Sequence, residues 1–342
     1  MLILEQPIQE ITNILLISFI TFCVAMLLTP IYTYFAYRYK LWKRRRTHST
    51  TGEALTVINK LSTRKRNVPT MAGLIVVVAV AIVTLLFNLD RQQTWLPLVA
   101  LIGAGMVGLV DDIINTIGKG GGVAGLRAPI KFSLITGVAA LSSWWFYYKL
   151  GYSTVYIPFA GDITLGWLLI PLFILVVVST ANAVNISDGL DGLAGGLLMN
   201  AYVAFGLIAA LQGNFGIAAF CMAIVGALLA YTWFNIAPAR FFMGDVGSFA
   251  LGTALGVVAM LTDTIVLLPL IGLLFVAEAG SSLLQILSKK IFHRKIFIAA
   301  PLHHHFEALG WPKTKVTMRF WIIGQICGAL GIIFALTGGY VG

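Results

Sequence analysis

Apolar runs of about 20 residues, the length that crosses a bilayer as a helix, recur near residues 11–37, 68–87, 95–113, 130–150, 166–185, 193–211, 215–234, 249–262, 264–292 and 317–338. They predict an all-α integral membrane protein of about ten transmembrane helices, with residues 1–342 forming a single polytopic domain. One stretch breaks the apolar pattern. In NAVNISDGLDGLAGG, residues 182–196, the polar residues Asn182, Asn185, Asp188 and Asp191 recur every third position, which on a helix sets neighbouring members on one ridge. Amides and carboxylates in such surroundings need a partner, a cation or a water-filled cavity, so this stretch is the first candidate for a site.

Composition excludes a soluble domain, since 59% of the 342 residues are hydrophobic and only 11% are charged. The opening MLILEQPIQE carries Glu5 and Glu10 and no basic segment, so no cleaved signal peptide is expected. Of the 23 lysines and arginines, 21 fall in the connections 37–67, 112–131, 235–248 and 289–319, while Arg91 and Lys149 lie by the alternate ones. The positive-inside rule then puts the odd-numbered connections in the cytoplasm and both termini outside. The net charge of +10 is expected to meet anionic membrane lipids and no nucleic acid, because the basic clusters flank spans. Arg64, Lys65 and Arg66 differ from Lys43–Arg46 in standing directly before Pro69, a residue suited to a helix start, so one of them could face a site at the membrane surface. Cys23, Cys221 and Cys327 lie in apolar runs without metal-ligand spacing and read as packing residues. The pairs Gly252/Gly256 and Gly324/Gly328 suit close helix contact, either inside the chain or in a homodimer.

The candidate chemistry lies on the basic side. Asp111 and Asp112 end the third run, where negative charge opposes the helix macrodipole and calls for a nearby cation. Adjacent helical residues point about 100° apart, so one can hold a metal while the other faces substrate. GKGGGVAG, residues 118–125, lacks the Gly-Lys-Ser/Thr of a phosphate loop and reads as a flexible linker; Lys131 beyond it is either a snorkelling lysine or a phosphate ligand. Asn235 and Asp245 share another basic-side connection, and Gly244 and Gly247 around Asp245 allow close approach to a ligand. Phe241 and Phe242 are core, lipid-facing or base-stacking residues. His303, His304 and His305 suit phosphate recognition or proton transfer better than zinc, and IFHRKIFIAAPL before them could lie along the bilayer surface. Asp111, Asp112, Asp188, Asp191 and Asp245 together would repel one another unless a divalent cation binds. Hard oxygen ligands favour Mg²⁺ and a metal-assisted phosphoryl transfer at the membrane surface.

These motifs carry a resemblance. NAVNISDGLDGLAGG, FFMGDVGS, the VDD at 110–112 and APLHHHFEALGWP are similar to those of the phospho-N-acetylmuramoyl-pentapeptide transferase (MraY) family, in the polyprenyl-phosphate N-acetylhexosamine-1-phosphate transferase superfamily, over residues 64–321. The resemblance implies transfer of phospho-MurNAc-pentapeptide from UDP-MurNAc-pentapeptide to undecaprenyl phosphate, giving lipid I and UMP for peptidoglycan. It implies a multi-pass protein of the bacterial cytoplasmic membrane with its site facing the cytoplasm. It further implies Asp245 as the Mg²⁺ ligand, Asp111 and Asp112 as the catalytic pair, and Asn182, Asn185, Asp188, Asp191, Asn235 and Phe242 on the nucleoside and sugar side. Lys65, Lys131 and His303 to His305 would be substrate and phosphate contacts. NVPTMAG departs from the family's GTPTMGG at Asn67, Val68 and Ala72, which bears on the role of Lys65. Direct attack by the lipid phosphate and a two-step route through an aspartyl-phosphate both remain open. A GlcNAc-1-phosphate transferase and, from another class, a transporter with intramembrane acids are the alternatives.

Overall fold

The computed structural model describes residues 2–42, 68–117, 125–158 and 160–341, for residues 2–7 as backbone only. Lys65 with Arg64 and Arg66, the basic run Lys43–Arg46, and residues 118–124 of the glycine-rich linker lie outside the described residues. Long helices occupy all ten predicted apolar runs: α1 (Leu2–Arg38), α2 (Gly73–Phe87), α3 (Trp95–Ile117), α4 (Ala128–Trp144), α5 (Leu169–Ser187), α6 (Leu193–Leu211), α7 (Phe215–Asn235), α8 (Gly244–Leu261), α9 (Leu273–Phe292) and, after the short α10 (Leu302–Ala308), α11 (Lys313–Thr337). Seven described helices, namely α1, α3, α5 to α8 and α11, are long and apolar enough to cross a membrane, which makes the chain a mostly helical, multi-pass membrane protein. Leu27, Leu86, Leu141 and Trp233 are exposed on its flanks, an arrangement that suits lipid rather than water.

Two predicted boundaries are corrected, and two connections hold structure that the apolar pattern does not show. The second helix starts at Gly73, because Pro69 and Thr70 bond to neighbouring segments, with Thr70 N–H donating to Leu41 O (2.9 Å) and Pro69 O accepting from Phe242 N–H (2.8 Å), and the chain turns at Met71, whose φ is +75°. The run 264–292 is broken at Gly272, which separates the single turn Leu268–Ile271 from α9. The connection before α5 holds a two-stranded antiparallel hairpin, β1 (Thr154–Ile157) with β2 (Gly161–Thr164), so the fold is not wholly helical. Residues 293–301 form an irregular strap rather than a helix, held by Gln285, whose Oε1 accepts from Ile296 and Phe297 N–H (3.0 Å each).

The bundle is built around α8, all of whose residues are buried. Its sequence GDVGSFALGTALGVVAML is rich in small side chains, and these let α2, α3, α5 and α6 approach its backbone. A Cβ on Gly108 of α3 would stand 2.2 Å from Asp245 O, and one on Gly73 of α2 would stand 2.3 Å from the Cα of Gly247. Gly252 and Gly256 face the backbone of Ala181 and Val177 on α5, while Gly324 and Gly328 face Asn200 and Ala204 on α6. Both glycine pairs are therefore used inside the chain and give no support to the homodimer.

Candidate active site

The first turn of α8, the C-terminal half of α3 and the first turn of α4 meet at three acids and a lysine. Lys131 Nζ donates to Asp111 Oδ2 (2.7 Å) and to Asp245 Oδ2 (2.6 Å), and Leu126 N–H donates to Asp111 Oδ1 (2.6 Å). Lys131 is the cation that the paired aspartates call for. Helix α3 runs on to Ile117, so Asp111 and Asp112 stand more than a turn inside it, and for Asp111 the ammonium rather than the helix end governs the charge. Asp245 sits in the first turn of α8, where the macrodipole favours an anion. Asp112 points another way and accepts from Val246 N–H through Oδ2 (3.1 Å).

Gly244 makes that contact possible. Its φ is +75°, and a Cβ there would fall 2.4 Å from Asp112 Oδ2. Gly244 and Gly247 thus admit the protein's own α2 and α3, which corrects the expectation that they leave room for a ligand. The residues before α2 brace the same turn, since Ala72 N–H donates to Phe242 O (3.0 Å) and Gly73 N–H to Met243 O (2.8 Å). Phe241 is a core residue against Tyr32, Tyr231 and Phe234, whereas Phe242 is only half-buried.

The four polar residues of NAVNISDGLDG do not share one ridge. Helix α5 ends at Ser187, and the chain turns through Asp188 to Gly192, whose φ of +78° starts α6. Asn182 Nδ2 donates to Val178 O in its own helix (2.8 Å), and Asn185 Nδ2 donates to Ser248 Oγ on α8 (2.8 Å). Asp191 Oδ2 accepts from Ala239 N–H (3.0 Å), and Asn235 clamps the turn by accepting from Gly192 N–H and donating to Phe241 O (2.8 Å each). Thr317 and Trp321 of α11, which sequence reasoning missed, reach the same turn: Trp321 Nε1 donates to Gly192 O (3.1 Å). Nothing in their spacing marks them.

The three histidines part company. His303 is buried, its Nδ1 lies 2.8 Å from Glu278 Oε2, and its peptide N–H donates to Glu278 Oε1 (3.1 Å). Its Nε2 has no hydrogen-bond partner and rests where a Cβ of Gly189 would be, 2.2 Å away, so it abuts the Asp188–Asp191 turn. His304 Nδ1 meets Glu307 Oε2 at 2.6 Å, and His305 Nδ1 accepts from Ile298 N–H at 3.2 Å. Burial pushes His304 below the usual imidazole range despite Glu307. Burial also raises the Glu307 carboxyl, but His304 and Lys313 outweigh it and leave Glu307 below its ordinary value. Near neutrality a neutral imidazole therefore faces a carboxylate. Glu278 was also missed, although a fully buried carboxylate within the apolar LLFVAEAG was a signal of the kind that marked the aspartates.

Among the described residues no three carboxylate, imidazole or thiolate groups form a metal cluster. Asp111 and Asp245 nevertheless turn hard oxygens towards one shared cation, at present the ammonium of Lys131. That donor set fits Mg²⁺, which binds through one or two carboxylates and completes its shell with water and phosphate oxygens.

Residues 94–263, which include the α3, α5 and α8 parts of this site, match the family described as glycosyl transferase family 4. The chain is 37% identical to the phospho-N-acetylmuramoyl-pentapeptide-transferase of Chloroflexus aggregans and 38% identical to that of Chloroflexus aurantiacus, in each case over 96% of this chain and 91% of the relative. With site residues drawn from many helices and similarity running nearly end to end, this chain belongs to the phospho-N-acetylmuramoyl-pentapeptide-transferase family.

Proposed function

We propose that the chain transfers phospho-MurNAc-pentapeptide from UDP-MurNAc-pentapeptide to undecaprenyl phosphate, releasing UMP and forming lipid I for peptidoglycan synthesis. The observation that carries this reading to the site is the Asp111–Lys131–Asp245 bridge, in which two buried carboxylates converge on one cation at the end of the central helix. The clustering of lysine and arginine in alternate connections supports ten spans, termini outside and a site facing the cytoplasm of a bacterial membrane. There the enzyme meets one substrate in the bilayer and the other in water.

Asp111 and Asp245 would hold Mg²⁺, which when bound neutralises charge on the pyrophosphate. Lys131, hydrogen-bonded to both carboxylates, is near enough to hand its donors to a phosphate oxygen. The proton of the lipid phosphate passes to the Asp111–Asp112 pair, and the lipid phosphate oxygen attacks the sugar-linked phosphorus as UMP leaves. Asn185 and Asn235 brace the turn carrying Asp188 and Asp191, and the half-buried Phe242 offers its ring to the nucleobase. Asn182, tied to its own helix, serves this side indirectly. Glu278 orients His303, and His304 and His305 flank it at the mouth of the site. Lys65 belongs to the same substrate set by its motif alone.

UMP release by purified protein given undecaprenyl phosphate and Mg²⁺ tests this reading. Release with UDP-MurNAc-pentapeptide and none with UDP-GlcNAc is expected. Release with UDP-GlcNAc alone would move the enzyme to the GlcNAc-1-phosphate transferases.

A further inference from the structure

At the far end of α8 from Asp245, four separate segments line an open cavity of about 630 Å³. Its polar lining comes from Tyr152, Gln212, Asn214, Thr262, Asp263 and Tyr340. That volume lies within the range of sites for organic ligands and far exceeds what a bare ion occupies. Hydrogen bonds fix the walls. Gln212 Nε2 donates to Thr262 O (2.9 Å) and Tyr340 O (3.2 Å), Asn214 Nδ2 donates to Gln212 Oε1 (3.3 Å), and Tyr156 N–H donates to Asp263 Oδ1 (3.0 Å).

An inventory of donors and acceptors indicates the ligand. The peptide N–H groups of Gln212, Gly213, Asn214, Thr262 and Asp263 are all engaged by carbonyls of the preceding helical turns. Both Nε2 hydrogens of Gln212 are likewise taken, and among the described residues no lysine, arginine or histidine lines the cavity. What remains is a carboxylate, the carboxamide oxygen and one Nδ2 hydrogen of Asn214, and two tyrosines. The hydroxyl of Tyr340, a residue 8% exposed, is buried with no partner. Asp162 adds negative charge near Asp263. A carboxylate beside aromatic rings, with no cationic side chain in the lining, is the chemistry that holds an organic ammonium.

We infer that this cavity, at the opposite end of the helix bundle from the transfer site, binds an organic ammonium group, with Asp263 as its counter-ion and Tyr152 and Tyr340 as its aromatic walls. Such a group can arrive on an ethanolamine lipid headgroup or on a free polyamine, since the cavity opens where the spans end.

Delipidated protein in detergent is titrated with phosphatidylethanolamine, with phosphatidylglycerol and, separately, with spermidine, reading bound ligand by native mass spectrometry and the midpoint of thermal unfolding. Phosphatidylethanolamine or spermidine should raise the midpoint and bind at least tenfold more weakly to Asp263→Asn, which keeps an acceptor for Tyr156 N–H but loses the charge. Tyr152→Leu, which leaves Asp263 intact, should weaken the same ligand. The arm that responds tells a lipid from a soluble amine. Equal binding to wild type and both variants, a response to phosphatidylglycerol as strong as to phosphatidylethanolamine, or no response to either amine would overturn the inference. UMP release should be unchanged in Asp263→Asn, which separates this outcome from any failure of the transferase reading.

Discussion

The two ends of α8 each present a carboxylate, and they solve the same electrostatic problem in opposite ways. At the first turn Asp245 shares the Lys131 ammonium with Asp111, so its charge is partly balanced inside the chain. Beyond the last turn Asp263 accepts one peptide N–H, has no ion pair among the described residues, and faces a cavity. A buried carboxylate that shares a lysine with a second carboxylate has charge left over for a metal or for a phosphate-bearing substrate's cation. One left beside tyrosines must take its cation from outside. The lesson is that an acid in an apolar run marks a place where a cation belongs, and its neighbours decide which cation.

The largest effect that would sharpen this contrast is expected from Lys131→Met. Removing one partner of a buried ion pair leaves the others uncompensated at about 3–5 kcal/mol, so the unfolding midpoint in EDTA should fall and Mg²⁺ should recover much of the loss. Lys131→Arg should fall less. A midpoint for Lys131→Met equal to wild type would mean that the lysine does not balance these acids.

A smaller loss is expected where α3 crosses α8. In Gly108→Ala the new Cβ meets Asp245 O at 2.2 Å, and overpacking of this kind costs about 1–3 kcal/mol. Stability and UMP release should drop together, because the displaced backbone carries Asp245. Full activity with an unchanged midpoint would show that the helix contact does not set the site.

Glu278→Gln tests a residue that acts through another. It keeps a partner for His303 but removes the negative charge, and loss of such an orienting group typically costs about 10–100-fold. UMP release should fall in that range and its pH profile should shift, while Glu278→Asp recovers part of both. An unchanged profile would leave Glu278 a packing residue.

The smallest effect lies at the Asp263 end. Burial, together with Asp162 and against the pull of the Tyr156 N–H, pushes the Asp263 carboxyl up to about 6. A carboxyl raised in the folded state favours folding when protonated, so ligand-free protein gains stability from this group as pH falls through about 6 towards the ordinary carboxyl range near 4. Asp263→Asn should be more stable than wild type at pH 7, and the difference should vanish by about pH 4. The group is partly solvated, so a shift of a few degrees at most is expected. A difference that does not change with pH would contradict the assignment.

The sequence made the helices and the acids legible, because both are written as departures from a uniform apolar background. Asp111, Asp112 and Asp245 stood out on that ground, and so could Glu278, whose partner His303 lies 25 residues on. The fold of DGLDG was less legible. Its period of three suggested a helical ridge, whereas Gly189 and Gly192 are the turn signal that the structure obeys. Gly108 and Gly73 read as ordinary span residues, since their value lies in which backbone crosses them. Tyr152, Asp263 and Tyr340 come from segments too far apart for any spacing to join them. The hairpin strands, four residues each, sit at the shortest length at which alternation can be read, and β2 is exposed along most of its length.

The account turns on which end of α8 does the chemistry, and UMP release from UDP-MurNAc-pentapeptide and undecaprenyl phosphate by Asp245→Asn and Asp263→Asn, side by side, measures this most directly. Asp245→Asn should lose about 10²–10³-fold, as expected on removing one group that stabilises transition-state charge, and Asp263→Asn should match wild type. Near-normal release by a folded Asp245→Asn protein would contradict the central claim.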